Sequence, residues 1–138
     1  MNPLNAYRET KVKTAGQGRL IVMLYDEAIK QIDLAADALK EGVRRYDAVN
    51  NALVRAQAVV AELMSSLNFE RGGEIAQNLF SLYTYFNSQL LEANLRKDAA
   101  PLAPVRVFLS ELRIAWEEIS KTAQVETPAA ERSLNVAG

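Results

Sequence analysis

At 138 residues, with 49% hydrophobic and 24% charged residues and only six Gly and four Pro, the chain has the size and apolar content of one globular domain. It contains no His and no Cys, which excludes disulfides, thiol nucleophiles, Ser-His-Asp machinery and imidazole or thiolate metal sites, and leaves any enzyme only carboxylates, Lys, Tyr and Ser. Sixteen basic against seventeen acidic residues give a net charge of −1 without the basic face of a nucleic-acid binder.

Residues 1–17 are polar, with isolated Leu4, Tyr7 and Val12, and read as an N-terminal segment outside the main fold. Their basic side chains, Arg8, Lys11 and Lys13 against Glu9, make a small basic head on an acidic body. Four segments with helical periodicity follow, and none alternates with the period of a strand. The first spans roughly Gly18 to Glu41, with Ile21, Leu24, Tyr25, Ala28, Ile32, Ala35 and Leu39 on its apolar face and Gly42 placed to end it. The second spans roughly Asp47 to Leu67, with Asp47 as a candidate N-cap and Val49, Leu53, Ala56, Val60, Leu63 and Leu67 inward. The third spans roughly Gly73 to Lys97, with Ile75, Leu79, Leu82, Tyr83, Phe86, Leu90 and Ala93 inward. The fourth opens at Pro101 or Pro104 and carries Val105, Phe108, Leu109, Leu112, Ala115, Trp116 and Ile119 inward.

The links between these segments are short, which forces consecutive helices to run antiparallel. The expected fold is therefore all-α: an antiparallel up-down four-helix bundle over 18–122. Residues 1–17 form an N-terminal cap segment, and 123–138 form a tail in which Thr127-Pro128 has the residues to start a short fifth helix. No basic start leads into an apolar run, so no signal peptide is read. The longest uncharged stretch, Ile75 to Leu91, is too polar and too short for a membrane span. The chain reads as soluble and cytoplasmic, with no membrane insertion and no nucleic-acid partner.

A bundle uses one stripe per helix for its core, so the apolar residues left over are the informative ones. At 100° per residue, Val54, Ala58 and Ala61 fall about 120–180° from Val49 on the second helix, a strip of small side chains opposite the core. On the third helix Phe80, Leu91 and Leu95 fall about 100–160° from Leu79. The stretch Ile75 to Leu91 carries no charge anywhere around its circumference, although the outer face of a small helix is normally charged. These six residues are the candidate binding groove, suited to an apolar helical segment of another chain. Packing within the chain is the plainer explanation for the same residues. Catalytic candidates are weaker. Asp26-Glu27 and Glu117-Glu118 are neighbours that point about 100° apart on a helix. Gly16-Gln17-Gly18 and Gly72-Gly73 lack the spacing and the preceding strand of a phosphate loop. A carboxylate di-metal bundle needs His. No catalytic, cofactor or metal residue is assigned.

The run Ser65-Ser-Leu-Asn-Phe-Glu-Arg-Gly-Gly-Glu-Ile-Ala-Gln-Asn-Leu-Phe-Ser-Leu-Tyr-Thr-Tyr-Phe86 resembles the flagellar secretion chaperone FliS family. So do Leu20–Ile29, Gln89–Asp98 and Leu112–Ser120, and the spacing of Ala6-Tyr7 to Val12-Lys-Thr-Ala15, so that the likeness covers roughly residues 4–122. Where the family has Ser-Pro before the first helix, this chain has Gly16-Gln17 and then Gly18, expected to loosen the entry into that helix. The resemblance implies a cytosolic export chaperone, not an enzyme. Such a chaperone binds the C-terminal region of flagellin, keeps it unpolymerised and delivers it to the flagellar type III export apparatus. It implies that Leu4, Tyr7 and Val12 cover apolar surface in the free state and that Tyr7 contacts the export gate. A co-chaperone or assembly factor is a further candidate partner. The alternative from the residues alone is a self-associating structural bundle whose apolar stripe is an oligomer interface.

Overall fold

The computed structural model describes residues 17–125. Four helices, α1 (Gln17–Lys40), α2 (Tyr46–Ser65), α3 (Phe69–Arg96) and α4 (Leu102–Val125), are joined by short links, the first of which holds a 3-10 turn at Val43–Arg45. No strand occurs among the described residues, and the all-α helical bundle expected from the periodicity is present. No helix among the described residues is long and apolar enough to cross a membrane.

Local chemistry sets the ends. Gly42 turns the chain out of α1 at φ 87°. Asp47 does not cap α2 as expected. The 3-10 turn feeds directly into the helix, Tyr46 N–H donating to the Val43 carbonyl, so the Asp47 carboxylate falls in the first turn, where the helix dipole still favours it. Nor does α3 begin at Gly73. Asn68 caps an earlier start, its Oδ1 accepting from the Arg71 N–H at 3.1 Å, and Gly73 interrupts the helix four residues in. At the other end of α3, Lys97 takes the left-handed conformation, φ 53°. Its Nζ doubles back to donate to both the backbone oxygen and Oδ1 of Asn94 at 2.6 Å. The buried Asn94 in turn donates to Asn50 Oδ1 at 2.9 Å, tying α3 to the start of α2. Pro104 lies in the first turn of α4, where its missing N–H costs no helical bond.

The core is built from Tyr25, Ala28, Ile32 and Ala35 of α1, Val49, Leu53, Ala56, Val60 and Leu63 of α2, Tyr83, Phe86, Leu90 and Ala93 of α3, and Leu102, Val105 and Leu109 of α4. At its centre the Tyr25 and Tyr83 hydroxyls hydrogen-bond to each other. Burial pushes the pKa of both phenols up; for Tyr25 the neighbouring Tyr83 adds to the rise and the nearby Trp116 side chain opposes it.

The helices are not equally enclosed. Helix α1 packs against both α2 and α4, α2 also packs against α3, and α3 and α4 meet least. The α1–α4 seam is zipped by Arg106, whose Nε and Nη2 reach Asp33 at 2.6 and 3.0 Å, and by Arg113, which pairs with Asp26. Gly18 is not a loose entry. It lies within α1, so close to α4 that an added Cβ would stand 3.2 Å from Ser120 Cβ.

The open α3–α4 seam corrects four inward assignments. Ile75 is 69% and Ile119 55% exposed, and Phe108 and Ala115 are exposed as well. Leu79, Leu82, Leu112 and Trp116 are only half-buried. The reason is geometric: α4 buries the line Leu102, Val105, Leu109, and Phe108 lies about 100° around the helix from Leu109. It faces α3, which is not close enough to cover it, although the Phe86 ring packs against it in a tilted arrangement with centroids 5.9 Å apart.

Candidate functional site

The outer groove between α2 and α3 is fixed by one hydrogen bond across its floor, from Asn87 Nδ2 on α3 to the Gln57 carbonyl on α2 at 3.3 Å. Side chains at helical spacing from these two residues line its banks. Val54, Ala58 and Ala61 flank Gln57 on the outer side of α2, and all three are exposed. Phe80, Thr84 and Leu91 flank Asn87 on α3, and all three are exposed too. Val54 and Ala61 on α2 and Phe80 and Leu91 on α3 lie toward this seam, whereas Ala58, about 180° from the buried Val49, and Leu95, about 180° from the buried Phe86, lie on the solvent crests of their helices.

Two hydroxyls of the α3 wall are turned back onto their own helix. Thr84 Oγ1 donates to the Phe80 carbonyl at 2.9 Å and Ser88 Oγ to the Tyr85 carbonyl at 2.8 Å, leaving methyl and methylene groups toward the solvent side. Asn87 Oδ1 is buried and finds no partner among the described residues. With no charge between Ile75 and Leu91, the α3 bank costs little to desolvate under an apolar chain. The small side chains of α2 set a low opposite bank, which lets a backbone approach closely.

The sequence reading missed a second apolar strip, along the open α3–α4 seam. Ile75 and Tyr85 of α3 face Phe108, Ala115 and Ile119 of α4 across it, all exposed. One sequence signal pointed there. Helix α4 carries more large apolar residues than a single stripe can bury, since Val107 and Ile114 are exposed on its outer side as well.

Neither face assembles catalytic chemistry. No group of carboxylates among the described residues is arranged to hold a metal. Two shallow concavities lie elsewhere. One of about 320 Å³ sits between α1 and α2 over Leu34, Ala48 and Ala52, and one of about 250 Å³ lies between α1 and α4 over Arg113 and Glu117. Leu4, Tyr7 and Val12, expected to cover apolar surface, lie outside the described residues.

Among the described residues no cluster of metal-ligating groups forms, and apolar surface is left over on two helix seams. The pattern of the family described as flagellar protein FliS matches residues 1–123. This chain belongs to the FliS family. It is 37% identical over 120 residues to the flagellar secretion chaperone FliS of Salmonella typhimurium, covering 86% of this chain and 87% of the relative. It is 34% identical over 117 residues to the Bacillus subtilis protein of the same name, covering 85% of each. It is 33% identical over 113 residues to the flagellar secretion chaperone FliSB of Pseudomonas aeruginosa, covering 81% of this chain and 87% of the relative. The FliS family is one of chaperones rather than enzymes.

Proposed function

We propose that this FliS-family protein is a cytosolic chaperone of flagellar export. It binds the C-terminal region of flagellin, prevents its premature polymerisation and delivers it to the flagellar type III export apparatus. The observation that carries this reading, beside family membership, is the α2–α3 groove: an uncharged wall of Phe80, Thr84 and Leu91 facing the small residues Val54 and Ala61, exposed within this chain. A client segment forms a helix there with its apolar face on α3 and its backbone close over α2, the helix-in-groove mode of recognition. While so held, that segment is withheld from the contacts by which subunits polymerise. Ala58 and Leu95 extend the contact on the crests of α2 and α3. Leu4, Tyr7 and Val12 cover apolar surface before the client arrives, and Tyr7 then serves the contact with the export gate.

The test is capture of flagellin by the full chain, with intact flagellin compared against flagellin lacking its C-terminal segment. Retention of the intact protein alone supports the reading; equal retention of both sinks it. The exposed α4 residues Phe108, Ile114 and Ile119 favour a second reading, self-association of the bundle. Size-exclusion chromatography over a range of concentrations separates the two, because a monomer that binds flagellin one-to-one does not fit an obligate oligomer.

A further inference from the structure

The groove already holds a ring of its own chain. Phe69 and Phe80 are 11 positions apart, which in an unbroken α-helix is about 16 Å along the axis, too far for their rings to meet. Yet their centroids stand 5.9 Å apart in an edge-to-face arrangement. The contact exists because α3 is broken at Gly73, φ 51° and ψ −121°. That conformation is the mirror image of the extended one that L-residues adopt, so it is open to Gly and strained for any side chain. The residues before it form a separate turn, capped by Asn68 and closed by the Gly72 N–H on the Asn68 carbonyl at 2.8 Å. Gly72 is folded so tightly over this bend that an added Cβ would stand 2.8 Å from Ala76 Cβ. The turn is lightly held at its far end, for Phe69 is 46% exposed even in this edge-to-face contact.

We infer that the turn from Phe69 to Gly73 is a hinged plug on the α2–α3 groove. Phe69 packs against Phe80 in the free protein, and a large apolar side chain of the client takes its place as the turn swings away about Gly73. This rests on the client reading above and adds its regulation: the client competes with an internal residue of the same chemistry. The plug shields Phe80 from non-specific apolar contacts, and its displacement lowers the net affinity, which favours later release.

The test uses the full chain and a labelled peptide of the flagellin C-terminal region. Phe69→Ala removes the competitor and should tighten peptide binding about 2- to 10-fold, the range expected for losing one aromatic pair. Gly73→Ala cannot hold the bend without strain and should shift affinity the same way, whereas Phe80→Ala should weaken binding. Unchanged or weaker binding by Phe69→Ala, with circular dichroism unaltered, overturns the inference. If the wild type does not bind the peptide, the client reading itself has failed, and the plug is then judged by the apolar dye 1-anilinonaphthalene-8-sulfonate. More dye bound by Phe69→Ala and Gly73→Ala than by the wild type supports a displaceable plug; equal binding overturns it.

Discussion

The most direct perturbation of the groove is the double substitution Phe80→Glu with Leu91→Glu. Both side chains sit on the α3 bank, 42% and 46% exposed in the free protein. Completely burying a Phe or Leu side chain stabilises by roughly 1.5–3 kcal/mol. Covering the exposed fraction of these two is therefore worth about 0.6–1.4 kcal/mol each, or about 1.3–2.7 kcal/mol for the pair, which is roughly 10- to 100-fold in affinity. The new carboxylates add a desolvation cost under an apolar client, so this range is a lower bound on the loss. The fold should tolerate the change. Glu is a good helix former, neither position contributes to the buried core, and the chief structural loss is the Phe69–Phe80 ring contact. Titration calorimetry with the flagellin C-terminal peptide measures the binding, and far-ultraviolet circular dichroism with a thermal melt checks the fold. A variant that melts like the wild type and binds within twofold of it would refute the groove assignment. A collapse of the melt together with binding would show instead that α3 is packed differently from the structure.

Three further outcomes are expected. Trp116→Ala removes a half-buried ring that packs on the core, so urea unfolding should show a loss of about 2–3 kcal/mol, below the range for a fully enclosed Trp; a loss under 0.5 kcal/mol would mean that α4 is rotated. The buried Tyr25–Tyr83 pair holds its protons more tightly in the folded than in the unfolded chain, so stability should be complete below about pH 10 and fall as pH rises above it, by up to about 1.4 kcal/mol per pH unit for each phenol. Denaturation series at pH 9 to 11.5 should show a shallower fall for the double Tyr→Phe variant, and equal slopes would contradict the buried pair. Tyr7→Ala should leave helicity and peptide affinity unchanged while weakening capture of the loaded complex by the purified export-gate component; equal loss of both would make Tyr7 a client contact.

What the sequence made legible, and what it hid, follows from the number of neighbours each helix has. Helix α1 lies between α2 and α4 and buries a broad arc, about 200° from Leu20 and Ala38 round to Val22, and even Gln31 is enclosed, donating to Glu27 at 2.9 Å. On a helix so surrounded, every apolar residue that periodicity assigned inward, from Ile21 to Ala35, is buried, and so is the α2 series Val49, Leu53, Ala56, Val60 and Leu63. Helix α4 has one close neighbour, and its fully buried line from Leu102 to Leu109 spans only about 60°. Periodicity gives the direction of a face but not the width that other helices will cover, so it places Phe108, Ala115 and Ile119 inward although no helix covers them. Ile75 failed for the same reason on α3. The start of α3 was hidden differently. Gly72-Gly73 looks like a boundary, and it is a bend, but Asn68 supplies a cap ahead of it and Phe69 then finds Phe80, a contact between residues that an unbroken helix places about 16 Å apart along its axis. The misassigned residues therefore belong to α3 and α4, the two helices with the fewest close neighbours, where apolar side chains exceed what the adjacent helices cover, and α3 also carries the Phe80–Leu91 bank of the candidate groove.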